Sequence, residues 1–180
     1  MTGSQIEPNT LVILSPESEM ILLFFLSPCP RARFCLHSPI MMKKGRTLAE
    51  LPLGEKIEVD YTVEDRHIRL FAEATGDANP LHVDDEYAAQ SPFKKRIAHG
   101  VLLSGIVSGV LGMHFPGLGT IAREMYSKYM KPIFIGDTVK VVAEVTDRNE
   151  KINLCTISFK VTNQSGQVVG RGHAVVIPPV

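Results

Sequence analysis

The run Gly76-Asp77-Ala78-Asn79-Pro80-Leu81-His82 holds a carboxylate and an imidazole five residues apart, two side chains able to take and give protons. Pro80 between them favours a turn over a continued helix, so both side chains can face one water molecule. A pair held this way suits chemistry in which a proton is taken from water and another is delivered to carbon, with no metal and no organic cofactor required. Which of Asp77 and His82 is the base stays open, because coupled groups titrate as a pair. On turn chemistry alone, Asp77 would be a cap residue satisfying backbone amides and His82 a hydrogen-bonded core histidine. Asn79 divides evenly between two roles: its amide holds Asp77 or a substrate, or it forms the turn before Pro80. A second small cluster, Ala98-His99-Gly100, opens a long apolar stretch.

Other chemistries lack their signatures. The sequence contains no GxGxxG, Walker, HExxH or GxSxG pattern, which removes support for dinucleotide, nucleoside triphosphate and zinc-protease readings. Cys29, Cys35 and Cys155 are odd in number and form no CxxC pair, so neither a disulfide framework nor a zinc site is expected. Nineteen basic and nineteen acidic residues leave a formal net charge of zero, so there is no net positive field to hold nucleic acid. The longest apolar run, residues 20–26, is far short of the roughly 20 residues that cross a bilayer. The residues before it carry Glu7, Glu17 and Glu19 and no Lys or Arg, unlike a secretory signal. No membrane partner is expected, and the reducing cytoplasm is the expected compartment.

The elements that must position these residues follow from periodicity. Prolines 8, 16, 28, 30 and 39 interrupt residues 1–40, where neither helical nor strand period survives. This segment reads as disordered or as a non-native N-terminal extension, with translation starting at Met41 or Met42, and residues 41–180 as one domain. Residues 56–61 alternate as a strand, and Thr62 with Asp65 resembles a helix cap and acidic first turn. Ile68, Phe71, Ala72 and Thr75 share a helical face that Gly76 terminates. A polar turn at 77–80 and a short helix over 84–90 come next, then a surface loop with Lys94-Lys95-Arg96. Residues 97–115 read as a central helix buried on most sides. Its glycines at 100, 105, 109 and 112 each cost about 1 kcal/mol relative to alanine, which requires sheet or partner surfaces to approach its backbone closely. Strands over about 121–130, 138–147, 153–163 and 168–177 complete an antiparallel sheet curved around that helix, an α+β pattern.

Phe71, the run 76–82, Ala88 and the His99-Gly100 pair resemble the MaoC-like, R-specific enoyl-CoA hydratase family, over about residues 53–178. The resemblance implies a hot-dog fold, a homodimer or dimer of dimers with the substrate tunnel near the subunit contact, and an acid/base pair at Asp77 and His82. It implies that the amide of Gly100 meets the thioester oxygen, where a helix N-terminus offers unpaired amides and a favourable dipole, and that Ser108 lines the pocket. Gly100 alternatively only permits tight packing, and Ser108 only bonds back to its own helix. His99 is expected to shape the turn and border the substrate. The substrate would be an acyl thioester of coenzyme A or of acyl carrier protein, with Lys94, Lys95 and Arg96 suited to phosphates or an acidic carrier surface. The stretch Arg123-Glu124-Met125-Tyr126 is more polar than a tunnel wall unless alternate residues face solvent.

Three rival functions stand beside the hydratase: a 3-hydroxyacyl-thioester dehydratase, a thioesterase of the same fold, and a non-catalytic acyl-thioester-binding module. Thioesterases of this fold usually carry a carboxylate on the central helix, and residues 97–115 contain no Asp or Glu. Hydration and dehydration share one transition state, so the residues do not separate those two.

Overall fold

Alternation over Lys56–Thr62 forms strand β1, the first regular element after a short 3-10 turn at Leu48–Glu50. The computed structural model describes residues 44–180; the expectations for residues 1–40 and for a start at Met41 or Met42 lie outside the described residues. Thr62, expected to cap the first helix, instead stays in the sheet. It pairs with Thr138 across the strand, and the two hydroxyls meet at 3.0 Å. Once the cross-strand partner satisfies Thr62, Glu64 becomes the residue before helix α1 (Asp65–Thr75). Gly76, at φ +76°, ends α1 and donates its amide to Ala72.

The polar stretch is more ordered than a plain turn. Asn79 accepts from the Leu81 amide at 3.1 Å and Pro80 starts a single turn, α2 (Pro80–Val83), as expected of proline in the first helical turn. Asp84 then caps α3 (Asp85–Gln90) through the Tyr87 amide at 2.9 Å. The long helix α4 (Gly100–Met113) begins later than residue 97. Ile97 forms an isolated β-bridge with Phe134, and the Ala98 amide donates to Ile133 at 2.7 Å, so the backbone is pinned before it can coil.

Four strands follow: β2 (Ile121–Tyr129), β3 (Thr138–Asn149), β4 (Leu154–Asn163) and β5 (Val168–Ile177). They join β1 in one antiparallel sheet of order β1-β3-β4-β5-β2. Register shifts that leave an extra residue in β2, β3 and β5 are the irregularities that let a sheet curve. The concave side receives α4 through Leu103, Ile106, Val107, Val110 and Leu111, which share one buried cluster with Val141, Val145, Ile157, Val161 and Val176. Each such side chain contributes about 1.5–3 kcal/mol by leaving water. The α+β architecture of a sheet around a helix is therefore as the sequence pattern required.

One expectation about α4 is corrected. Among the described residues it is covered on one side and open on the opposite one: Val101 and Met113 are 57% and 56% exposed, and a Cβ on Gly105, Gly109 or Gly112 would meet nothing within 4 Å. A single sheet has one concave face and can bury only the helix side that enters it.

Candidate active site

His82, in α2, places its Nδ1 2.8 Å from the Ile97 carbonyl oxygen. A carbonyl only accepts, so Nδ1 donates, which leaves Nε2 as the ring atom that can exchange a proton. Ile97 in turn donates its amide to Leu81 at 3.2 Å, which ties the bridge before α4 to the turn that carries the imidazole. By the same argument His99 donates from Nε2 to the Asp77 carbonyl at 2.9 Å. His99 is 2% exposed, with ring centroids 3.9 Å from His82 and 4.7 Å from Phe71 of α1. It thus holds the backbone of one member of the pair while its ring backs the other. Its Nδ1 is buried and has no partner among the described residues.

The Asp77 carboxylate is half-exposed and 4.0 Å from His99 Nε2, and it accepts from the Asn79 amide at 3.3 Å. Asn79 itself is committed through its side-chain oxygen to the start of α2, which is the turn role. Asp77, His82 and His99 each offer a ligand atom, all within 4.8 Å of one another. Ligation through His99 Nε2 would break its bond to the Asp77 carbonyl.

Beside this trio lies a pocket of about 320 Å³, lined among others by His82, Ile97, Gly100, Leu103, Tyr129 and Val169. Gly100 stands at the first turn of α4, where amides lack intrahelical partners and the dipole favours negative charge. The Tyr129 ring would come within 3.0 Å of a Cβ at Gly100. Its hydroxyl meets Ser104 at 2.8 Å, and Ser104 donates to Ser127 at 2.8 Å.

The structure therefore brings Asp77, His82, His99 and Gly100 together, with Asn79 adjacent. Ser108 is not among the residues lining this pocket; it is exposed on the open side of α4. Eight residues rotate a helix by about 80° net, whereas the four from Gly100 to Ser104 rotate it by about 40°. Ile97 and Tyr129 were missed by sequence reasoning. Ile97 acts through its backbone, which side-chain patterns do not reveal. Tyr129 was legible only as the inward position of a strand whose outward positions include Tyr126; in the polar stretch 123–126, Arg123 and Glu124 are both exposed beside a bulge, and Met125 alone packs on the core.

The basic run is also corrected. Arg96 is 9% exposed and bridges Asp85 at 2.7 Å and Asp65 at 2.6 Å, with the His82 carbonyl at 3.4 Å. It braces α1, α2 and α3 and is not free for a phosphate. The Arg69 and Arg96 guanidiniums beside Asp65 hold its carboxyl below the usual carboxylate value. Lys95 lies over the Phe134 ring at 4.3 Å, and Lys94 is exposed.

Comparison with known proteins adds the family dimension. A family profile described as a MaoC like domain matches residues 50–168. An (R)-specific enoyl-CoA hydratase of Aeromonas caviae is 34% identical over 129 residues, 72% of this chain and 96% of that protein. A mitochondrial 3-hydroxyacyl-[acyl-carrier-protein] dehydratase of Arabidopsis thaliana is 28% identical, covering 72% of this chain and 78% of that protein. Among solved structures, an unliganded R-hydratase from Pseudomonas aeruginosa superposes with a TM-score of 0.72 at 36% identity, covering 75% of this chain and 86% of that one.

Proposed function

The chain belongs to the MaoC-like domain family, and on that premise we propose that it reversibly hydrates trans-2-enoyl thioesters to (R)-3-hydroxyacyl thioesters. The observation that carries this reading is the convergence of Asp77, His82 and the N-terminus of α4 beside one apolar pocket. Water held by Asp77 and His82 loses a proton to the pair as its oxygen bonds to Cβ. The π electrons of the alkene move onto the thioester oxygen, where the Gly100 amide and the helix dipole stabilise the enolate. A proton then returns from the pair to Cα and the carbonyl re-forms. Both side chains lie on one short turn, so addition is syn and one enantiomer results. The step needs no metal and no cofactor beyond the coenzyme that enters with the substrate.

With crotonyl-CoA, the conjugated thioester absorbance should fall on addition of protein, and a dehydrogenase specific for (R)-3-hydroxyacyl-CoA should oxidise the product. A mainly S product would overturn the site geometry. A second reading, dehydration of 3-hydroxyacyl carrier protein, uses the same atoms and is favoured by likeness to the carrier-protein dehydratase. Rates on matched coenzyme A and carrier-protein substrates decide between them.

We further propose a homodimer. The open side of α4, with Gly105, Gly109 and Gly112 presenting bare backbone, and the exposed edge strand β2 are the surfaces a symmetric partner would cover. No helix among the described residues is long and apolar enough to cross a membrane. The buried free thiol of Cys155 is compatible with a reducing cytoplasm.

A further inference from the structure

The outer face of the sheet, turned away from α4, carries charge that the proposed reaction does not use. Lys128 on β2 lies opposite Arg171 on β5, and Arg171 lies opposite Lys160 on β4. Opposed residues share a face, and neighbouring strands are about 4.8 Å apart, so three exposed cations stand in a single row. Among the described residues none of the three has an ion-pair partner. The other end of the same face is built differently: Lys56 pairs with Glu144 at 3.1 Å, and Lys140 with Glu58 at 2.8 Å. Like charges directly opposite one another destabilise a strand pair, so an anion seated on the row would relieve repulsion that the described residues leave unanswered.

The next row supplies a different kind of surface. Tyr126 lies opposite His173, their rings stacked with centroids 5.6 Å apart and planes 28° apart, and Tyr126 is 58% exposed. Cations and rings together border a groove of about 420 Å³, within the range of about 300–1,000 Å³ common to small-molecule sites. The acids nearest in the ladder are Glu58, in the cation row beyond Val142 and engaged by Lys140, Glu144, which Lys56 already engages, and Glu124, two residues before Tyr126.

We propose that this groove is a second ligand site, for a nucleoside diphosphate. The Arg171 fork flanked by Lys128 and Lys160 takes the two phosphates, and the aromatic base stacks on Tyr126. Such a ligand is available either as a free nucleotide or as the adenosine diphosphate end of coenzyme A.

Calorimetric titration of the full chain with ADP tests this, with pyrophosphate as the comparison. ADP should bind in the micromolar to millimolar range. Arg171→Ala and Lys160→Ala should each weaken it at least about tenfold while crotonyl-CoA turnover at saturation stays at the wild-type rate. Tyr126→Ala should weaken ADP but leave pyrophosphate unchanged. A titration in saturating coenzyme A then identifies the source: displacement of ADP assigns the coenzyme's nucleotide end, and retention assigns a free nucleotide. No binding of ADP at millimolar concentration would overturn the proposal. So would affinity untouched by the Arg171 and Lys160 variants, or equal affinity for pyrophosphate and ADP. A fall in oligomer mass in those variants would show instead that the face joins two copies of the chain.

Discussion

At the scale of single residues, the site divides into groups that touch the reacting atoms and groups that hold them. Asp77→Asn and His82→Ala should each lower kcat by about 10²–10⁴, and the double variant should be little worse than either, because the pair acts as a unit. Steady-state kinetics on variants that keep the wild-type circular dichroism checks this, and additive losses would contradict a coupled pair. Gly100 offers a separate handle. A Cβ there would stand 3.0 Å from the Tyr129 ring, so Gly100→Ala should displace that ring and lower kcat/KM. Restoration of part of the loss by Tyr129→Ala would show that the clash, and not the amide itself, is responsible. Cys155 is the residue-scale contrast: burial pushes its thiol up to about 11, so it should resist alkylation at pH 8 until the protein unfolds.

Between elements, the decisive link is the guanidinium of Arg96 among α1, α2 and α3. Asp65 and Asp85 keep water access when Arg96 is removed, so Arg96→Met should cost about 1–2 kcal/mol, less than stranding a fully buried charge. The larger effect should fall on activity, because α2 carries His82 and its carbonyl faces Arg96. Asp65 gives this brace a pH signature. Its folded carboxyl is held below its ordinary value, so the stabilisation is fully present above the unfolded value of about 3.9 and is lost as pH falls through the lower folded value. Urea midpoints of wild type and Asp65→Asn should therefore differ at neutral pH and converge in acid. A difference that did not shrink as pH fell would mean that charge is not what the pair contributes.

For the whole molecule, the open side of α4 makes a sharp prediction. Among the described residues nothing lies within 4 Å of a Cβ at Gly109, and leucine is the better helix former by roughly 1 kcal/mol. Gly109→Leu should leave each chain folded but block a second copy from approaching. Light scattering should give twice the 19.8 kDa chain mass for the wild type and about the chain mass for the variant. An unchanged dimer would place the contact elsewhere. A chain beginning at Met41 should keep full turnover, since the family match begins at residue 50 and the trio and pocket are drawn from residues 77–169; assay of the shortened chain decides.

Much of this was determined by sequence alone, because it depends on near neighbours. The alternation of β1, the glycine stop at residue 76, the four later strands and the five-residue spacing of Asp77 and His82 are all set by local geometry and side-chain type. Tertiary structure decided what depends on distant partners. Thr62 reads as a cap until Thr138 arrives across the sheet, 76 positions later. Arg96 reads as a free cation until Asp65, 31 positions earlier, is folded against it. His99 reads as a turn residue, and only packing against Phe71 and His82 makes it a clamp. Which side of α4 is covered was likewise undecidable in one dimension: its glycines are compatible with close packing anywhere, and only the single concave face of the sheet selects the side that is filled.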